Sequence, residues 1–267
     1  MRFSLDPGAL VLLAVVLALY LRALAVVRGR GLTVPRGQQV AFYCGLTLWA
    51  GALLGPVDAY SEDLLSLHMA QHLLLAELGA PLILFGIRAP VVFFLLPRPA
   101  LVALARRTRL RRVLAAVSRP IPAIAIYAVV LYWWHFALTF EAATENPLLH
   151  ALQHQSFIAI SVLVWLPALE PTRRRMPGEL WKAGHIFGAR LVGMFLGVAF
   201  IAMRTAAYPL YAERAPQHGL TGLEDQKIAG GMMMTLDVII MLAAVAYFFW
   251  RSAQDHDLAE AKERARG

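Results

Sequence analysis

The sequence is poor in cysteine and in charged residues. Cys44 is its single cysteine, which excludes an intramolecular disulfide and any CxxC or CxxxC pair for a soft metal or a redox thiol. Charged residues make up 16% of the 267 residues against 59% hydrophobic residues, and the mean hydropathy is +0.60. This composition is too apolar for an ordinary soluble domain and indicates an all-α, polytopic membrane protein. Any metal site must therefore use ligands other than thiolates.

The chain also lacks the patterns of an enzyme. It contains no nucleophile with a base partner and no glycine-rich loop for phosphate, so we expect no catalytic residues. Its formal net charge of +8, from 25 basic and 17 acidic residues, taken alone suggests nucleic acid. The basic residues, however, lie in loops between apolar segments. This placement indicates orientation in a membrane, with the lipid bilayer and not nucleic acid as the partner.

Seven apolar segments have about the 20 residues that a membrane-spanning helix requires. They cover residues 8–27, 38–57, 64–86, 120–140, 147–169, 183–206 and 228–250. The sequence therefore predicts a seven-transmembrane helical bundle over residues 1–250. Residues 251–267 are predicted to form a short charged cytoplasmic tail. We find no internal repeat and no second soluble domain.

Loop charges predict the direction of these segments, because lysine and arginine concentrate in short cytoplasmic connections. Basic residues follow the first, third and fifth segments: Arg28, Arg30 and Arg36, then eight arginines from Arg88 to Arg119, then Arg173, Arg174, Arg175 and Lys182. Acidic residues follow the second and fourth segments: Asp58, Glu62, Asp63, Glu141 and Glu145. The N-terminus is therefore predicted to lie outside and the C-terminus in the cytoplasm.

Histidine pairs occur in two of the predicted membrane helices. His68 and His72 lie four residues apart in the third segment, and His150 and His154 repeat this spacing in the fifth. Residues four apart share one face of a helix. With about 1.5 Å of rise per residue, both pairs lie about 5–12 Å below the outer surface. The sequence thus places two histidine pairs in one outer layer of the membrane.

Two further segments contribute to this layer. His135 lies near the outer end of the fourth segment, and Met232, Met233 and Met234 lie near the outer end of the seventh. Three consecutive residues of a helix point in different directions, so we expect only one of these methionines to matter. The predicted metal ligands are His68, His72, His135, His150, His154 and Met233.

The ligand types indicate which metal the layer would bind. Neutral imidazoles suit copper, zinc, iron and nickel, whereas a thioether favours copper, especially Cu(I). Copper is therefore the predicted metal, and zinc remains an alternative. Gln71, Asp225 and Gln226 are predicted to support the ligands, because a ligating histidine usually donates its other N–H to a carboxylate or carbonyl. Glu77 lies deeper and is expected either to pair with another polar group or to relay protons.

Other interpretations of the histidines stay open. Any single histidine near the end of a membrane helix can simply hydrogen-bond across the bundle. Facing histidines can also hold haem b as axial ligands. A metal transporter is a further alternative, although it would favour repeat symmetry and broken helices in mid-membrane. A retinal photoreceptor is disfavoured because the seventh segment contains no buried lysine.

Four motifs resemble those of the polytopic membrane CtaG family of cytochrome c oxidase assembly factors. They are HMAQHLLL from His68, WWH ending at His135, HALQHQSF from His150 and EDQKIAGGMM from Glu224. The resemblance extends to the predicted ligands and to Asp225 and Gln226. Gln153 stands where the family often has an acid, and Thr235 stands near the position of a usual tryptophan, which loosens the expected surroundings of the ligands.

The resemblance implies a multi-pass protein of the bacterial plasma membrane that helps to mature a haem-copper oxidase of the respiratory chain. It implies a metallochaperone role in which copper is handled for the oxidase. The implied partners are oxidase subunits in the membrane and an extracytoplasmic copper carrier.

Overall fold

Proline begins several helices of this chain, because its fixed φ and missing N–H suit the first helical turn. The computed structural model describes residues 4–169 and 178–264. The first turns of four helices contain Pro7, Pro56, Pro120 and Pro209. Over the described residues the α-helices are α1 (Pro7–Gly29), α2 (Arg36–Leu53), α3 (Pro56–Ser61), α4 (Leu65–His72), α5 (Ala80–Gly86), α6 (Arg98–Arg106), α7 (Thr108–Val117), α8 (Pro120–His135), α9 (Ala137–Glu145), α10 (Pro147–Leu169), α11 (Glu179–Ala202), α12 (Pro209–Arg214) and α13 (Gly222–Arg264).

Five helices within the described residues are long and apolar enough to cross a membrane. They are α1, α10, α11, the Gly222–Asp257 part of α13, and the continuous helix Leu65–Gly86, which contains α4 and α5. The pair α7 and α8 gives a sixth candidate, although the two helices meet at 82°. The all-α class is thus confirmed, with five or six candidate membrane spans. Each of the seven predicted segments contains a helix.

Two helices end earlier than the sequence predicts. The fourth segment breaks after His135, because Phe136 has extended backbone angles (φ −66°, ψ 138°), and α9 follows as a separate helix. α2 ends at Leu53, where the strand β1 (Ser4–Leu5) pairs antiparallel with β2 (Leu54–Gly55). Gly55 has a φ of 94°, which favours glycine, and it turns the chain into α3.

The last helix is longer than its apolar segment. α13 continues from the membrane segment through the predicted tail as far as Arg264.

The predicted cytoplasmic arginines Arg173, Arg174 and Arg175 lie outside the described residues. The basic helices α6 and α7 contain no buried residue, so they lie at the surface of the described structure.

The helix Leu65–Gly86 contains an irregular turn at its centre. Its residues Leu73–Gly79 form a π-helix between α4 and α5. Pro81 has no N–H to donate to the carbonyl four residues before it, which disfavours regular α-helix here. Trp49 of α2 donates to the carbonyl of Leu75 at 2.8 Å, and this carbonyl also accepts the backbone N–H of Ala80. Single π turns inside α-helices occur frequently at functional sites.

The helix Leu65–Gly86 lies between two apolar clusters. One cluster joins it to α8, α10, α11 and α13, and includes Phe140, Phe157 and Phe200. The other joins its opposite side to α1 and α2, where the rings of Tyr20 and Phe42 stack at 3.5 Å. Because both sides of the helix are packed, its polar side chains are held inside the protein.

Candidate metal centre

Two histidine pairs meet inside the bundle. His68 and His72 lie on α4, and His150 and His154 lie near the start of α10. The ring centroids of His68 and His150 are 5.2 Å apart, and those of His72 and His154 are also 5.2 Å apart. Along each helix the paired rings lie 4.4 Å and 4.2 Å apart. We call these four imidazoles the histidine cluster. The first histidine of α4 lies beside the first of α10 and the second beside the second, so the two helices run parallel here.

Three members of the histidine cluster come within reach of a single ion. One nitrogen from each of His68, His72 and His150 lies within 4.8 Å of the other two. Nitrogens bound at about 2.0 Å to a tetrahedral metal are roughly 3.3 Å apart. The three rings would therefore close by about 1.5 Å around an ion, which side-chain rotation can supply. A metal can be bound by this group of residues.

Tyr211 of α12 fixes the proton of His68. Its hydroxyl donates to the carbonyl of Ser61 at 2.8 Å. A phenol has one hydrogen, so the same hydroxyl accepts the Nδ1–H of His68, which lies 2.9 Å away. Burial raises the pKa of Tyr211 well above its ordinary value, and the hydroxyl stays protonated. Nε2 of His68 then keeps its lone pair, as a metal ligand requires.

His135 approaches the histidine cluster from α8. Its Nδ1 donates to the carbonyl of Leu131 at 2.7 Å, which leaves the lone pair on Nε2. His72, His135 and Met233 all line a cavity of about 30 Å³, together with Met69 of α4. Among the three consecutive methionines, Met233 is the one that is buried and lines this cavity. Imidazole and thioether side chains from three helices therefore surround one small space.

The five histidines share a further property. Their Nε2 atoms are buried and make no hydrogen bond to any part of the chain that the structure describes. Both ring nitrogens of His72 are without such a bond. Buried polar side-chain atoms nearly always have a partner, and six of the fifteen described atoms without one are ring nitrogens of these five histidines. Five imidazoles and a thioether are the residue types of a donor set for a transition metal. The histidines concerned are His68, His72, His135, His150 and His154.

A comparison with protein families identifies the chain. Residues 18–255 match the family described as cytochrome c oxidase caa3 assembly factor, Caa3_CtaG. The match covers most of the sequence and includes all five histidines and Met233. The chain belongs to this family. The sequence motifs that resembled the polytopic CtaG proteins are thus confirmed as family membership.

Curated relatives of this caa3 assembly factor family member occur in mycobacteria. The chain is 24% identical over 262 residues to uncharacterized proteins of Mycobacterium bovis and of Mycobacterium tuberculosis. It is 25% identical over 265 residues to an uncharacterized protein of Mycobacterium leprae. Each alignment covers 94% of this chain, but the chain spans only about two fifths (39% to 40%) of the relatives' length. No solved structure matches the chain.

The three residues predicted to support the ligands form their hydrogen bonds to groups other than the five histidines. Asp225 of α13 accepts the backbone N–H groups of Leu65 and Ser66 at 2.6 and 3.1 Å, at the first turn of α4. Gln226 accepts the N–H of Ala207 and donates to the carbonyl of Phe200. Both residues thus anchor backbone around the site.

The third supporting residue also positions a helix. Gln71 donates to the carbonyl of Ala52 at 2.9 Å and to the carboxylate of Asp58 at 2.7 Å. These bonds join α4 to the end of α2 and to α3. Gln71 therefore fixes the helix on which His68 and His72 lie.

A second group of buried polar side chains lies deeper in the bundle. Arg190 of α11 is fully buried and forms ion pairs with Glu77 and with Asp237 of α13, the latter at 3.1 Å. Glu77 also accepts a hydrogen bond from Tyr127 of α8 at 3.1 Å. We call these four residues the ion network. Of the two roles expected for Glu77, pairing with another polar group is the one observed.

The 30 Å³ cavity joins the histidine cluster to the ion network. Its lining includes His72 on one side and Glu77, Tyr127 and Asp237 on the other. The carboxylates of Glu77 and Asp237 line this space and both pair with Arg190, so the three side chains together carry one net negative charge when all are ionised. Such a charge stabilises a cation bound nearby in a medium of low dielectric constant.

Sequence reasoning missed Arg190 and Asp237, although both leave a signal. Each is a charged residue inside a predicted apolar segment, where ionisable side chains are rare and generally functional. Gly193 lies one turn from Arg190, and a Cβ at this position would collide with the carboxylate of Asp237.

Proposed function

We propose that this chain binds copper, as Cu(I), in the histidine cluster and delivers it to a haem-copper cytochrome c oxidase during assembly of the enzyme. The observation that carries the proposal is the set of five buried Nε2 atoms without a hydrogen-bond partner in the described structure. Membership of the caa3 assembly factor family supports the oxidase as the destination. In this role copper is the cargo of a metallochaperone.

The donor set favours Cu(I) over zinc. Met233 and Met69 line the same cavity as His72 and His135, so thioethers are available beside the imidazoles. Soft thioether ligands select Cu(I), whereas structural zinc sites use imidazole, thiolate and carboxylate. Thiolate does not contribute, because Cys44 is exposed on α2. Zinc is the competing metal for the three imidazoles alone.

Haem b and metal transport receive less support. The rings of the histidine cluster pack at centroid distances of 4.2 to 5.2 Å, which leaves no space between them for a flat macrocycle. The cavity of about 30 Å³ beside them is far smaller than a haem. A transporter would need a polar path to the opposite face, and the ion network closes the inner end of this cavity with paired charges.

The proposal includes the membrane orientation. We infer seven spans, with α2 and α8 as the two that complete the five long helices, an outer N-terminus and a cytoplasmic C-terminus. The histidine cluster then lies in the outer leaflet of a bacterial plasma membrane. An extracytoplasmic copper carrier supplies the ion, and an oxidase subunit in the same membrane receives it.

Metal counting tests the proposal. The purified protein is loaded with Cu(I) without oxygen, washed and analysed for copper, and compared with a variant carrying His72→Ala and His154→Ala. We expect the double variant to lose most of the bound copper. His185→Ala is the matched control, because His185 is also buried but bonds the carbonyl of Val164 at 2.8 Å.

The outcomes separate the competing proposals. Unchanged copper stoichiometry in the double variant would show that the histidine cluster is not the site. A red preparation with a Soret band that disappears in the variant would establish haem b instead. In cells that lack the chromosomal gene, the double variant should leave the oxidase short of copper, whereas the His185→Ala variant should restore it.

A further inference from the structure

A cleft of about 450 Å³ leads from the protein surface to the histidine cluster. It lies between the start of α1, the α2–α3 connection and the first turns of α10. Asp6 and Glu62 at its rim are exposed, whereas His154 in its wall is only 7% exposed. The cleft therefore connects solvent with a buried imidazole.

The charged groups of the cleft are acidic. Asp6, Asp58 and Glu62 line it, and its described lining includes neither lysine nor arginine. Asp58 and Glu62 line the cleft together with His150. Arg214 approaches this region, but it donates to the backbone carbonyl of Glu62 at 2.7 Å and not to the carboxylate.

The observed partners of these acids are neutral. The carboxylate of Asp58 accepts from the amide of Gln71, and that of Asp6 accepts from the backbone N–H of Gly8. Neither bond brings a cation to compensate the charge. A cleft with walls of one sign and low dielectric constant concentrates ions of the opposite sign and accelerates their binding.

His154 provides an independent sign of a ligand. Its Nε2 is buried and without a hydrogen-bond partner in the described residues, and the side chain lines the cleft. Its ring lies 5.2 Å from that of His72, which belongs to the group of three that can hold one ion. The acidic surface and the ligand nitrogens are thus continuous.

We propose that this acidic cleft is the port through which a metal cation, Cu(I), enters the histidine cluster from the outer side. The proposal rests on the proposed function, which it extends by naming the route of loading. Asp6 and Glu62 attract the cation at the rim, and Asp58 keeps the potential negative farther in. His150 and His154 then replace water or the carrier's ligands on the ion.

The rate of copper loading tests the port. Cu(I) is supplied without oxygen as its acetonitrile complex to the purified protein, a chelator stops the reaction after set times, and the bound copper is counted. The variant combines Asp6→Asn and Glu62→Gln, which keep the shape of the rim and remove two charges. We expect loading to slow about tenfold at low salt, with a weaker salt dependence and an unchanged final copper count.

Glu145→Gln combined with Glu213→Gln is the matched control. Both glutamates are exposed acids outside the cleft lining, so the control makes the same change in net charge. It should load at the wild-type rate. Equal loading by the cleft variant and wild type, or equal slowing in the control, would overturn the port while the metal site stands. A wild-type protein that binds no copper would overturn both proposals.

Discussion

The histidine cluster and the ion network both lie inside one bundle, and Glu77 follows His72 by five residues on the same helix, yet their polar atoms are paired differently. In the ion network Arg190 forms ion pairs with two carboxylates, and only its Nε and Nη2 lack a described partner. In the histidine cluster all four Nε2 atoms lack one. The cavity of about 30 Å³ separates the two groups.

This difference agrees with a structural role for the ion network and with the binding role proposed for the histidine cluster. Buried charges stabilise a membrane protein only when they are paired, and the ion network joins three helices in that way. Buried imidazoles without partners cost stability in the absence of a ligand. The ion network therefore holds α11, α13 and the helix Leu65–Gly86 together, whereas the histidine cluster has no comparable pairing among the described residues and fits the proposed role in binding an ion. Mutations in the ion network should therefore mainly lower stability, whereas mutations that affect the histidine cluster should mainly lower copper affinity.

Replacing the arginine of the ion network should have the largest effect on stability. Arg190→Met leaves Glu77 and Asp237 buried without a cation, and breaking a buried ion pair in this way costs about 3–5 kcal/mol. The free energy of unfolding in detergent micelles measures the loss. Arg204→Met removes an exposed arginine and should change that free energy by less than about 0.5 kcal/mol.

A companion variant tests whether pairing is the cause. Adding Glu77→Gln and Asp237→Asn to Arg190→Met removes the uncompensated charges, and much of the lost stability should return. Copper binding by the folded fraction should persist in this triple variant. An Arg190→Met protein as stable as wild type would show that the network is not a structural ion pair.

Gly193→Ala should have the next largest effect. A Cβ at this position collides with the carboxylate of Asp237, which must move away from Arg190. Overpacking of this kind typically costs about 1–3 kcal/mol of unfolding free energy. Gly184→Ala is the control, because nothing lies within 4 Å of its added Cβ and alanine is the better helix former. Equal stability of the two variants would contradict the close approach.

The histidine cluster follows closely from the sequence. The i, i+4 spacing puts each pair on one helix face, and the alternation of loop charges predicts that the third and fifth segments run in the same direction. Two parallel helices with pairs at equal depth need only the right rotation to meet. The structure supplies that rotation, with His68 beside His150 and His72 beside His154.

The ion network could not be predicted in the same way. Arg190 bonds residues that lie 113 and 47 positions away in the chain, and no local period links them. Asp225 shows a related limit, because its partners Leu65 and Ser66 are 160 and 159 positions away. The sequence predicts that the carboxylate of Asp225 accepts an N–H from a ligating histidine. In the structure this carboxylate instead accepts backbone N–H groups at the first turn of α4. Tertiary pairing decides such roles.

Asp225→Ala should have an intermediate effect on stability and should also affect the histidine cluster. The change leaves the N–H groups of Leu65 and Ser66 without their acceptor, and loss of a helix cap costs about 1–2 kcal/mol. We also expect weaker copper binding, because α4 carries His68 and His72. Glu145→Ala removes an exposed carboxylate and should leave both properties unchanged. Copper binding that weakens without any loss of stability would instead favour direct support of the ligands.

Tyr211→Phe should change stability least and sharpen the comparison most. Its hydroxyl bonds Ser61 and His68, and loss of these bonds costs about 1 kcal/mol of unfolding free energy. The larger consequence falls on the metal, because Nδ1–H of His68 loses the acceptor that fixes its tautomer. Loss of such a partner weakens metal affinity about 10- to 100-fold. Tyr20→Phe is the control, since the Tyr20 hydroxyl is buried in the other apolar cluster with no described hydrogen-bond partner. Competition with a Cu(I) chelator measures the affinity, and equal affinities for the two variants would mean that Tyr211 only stabilises the fold, as the ion network does.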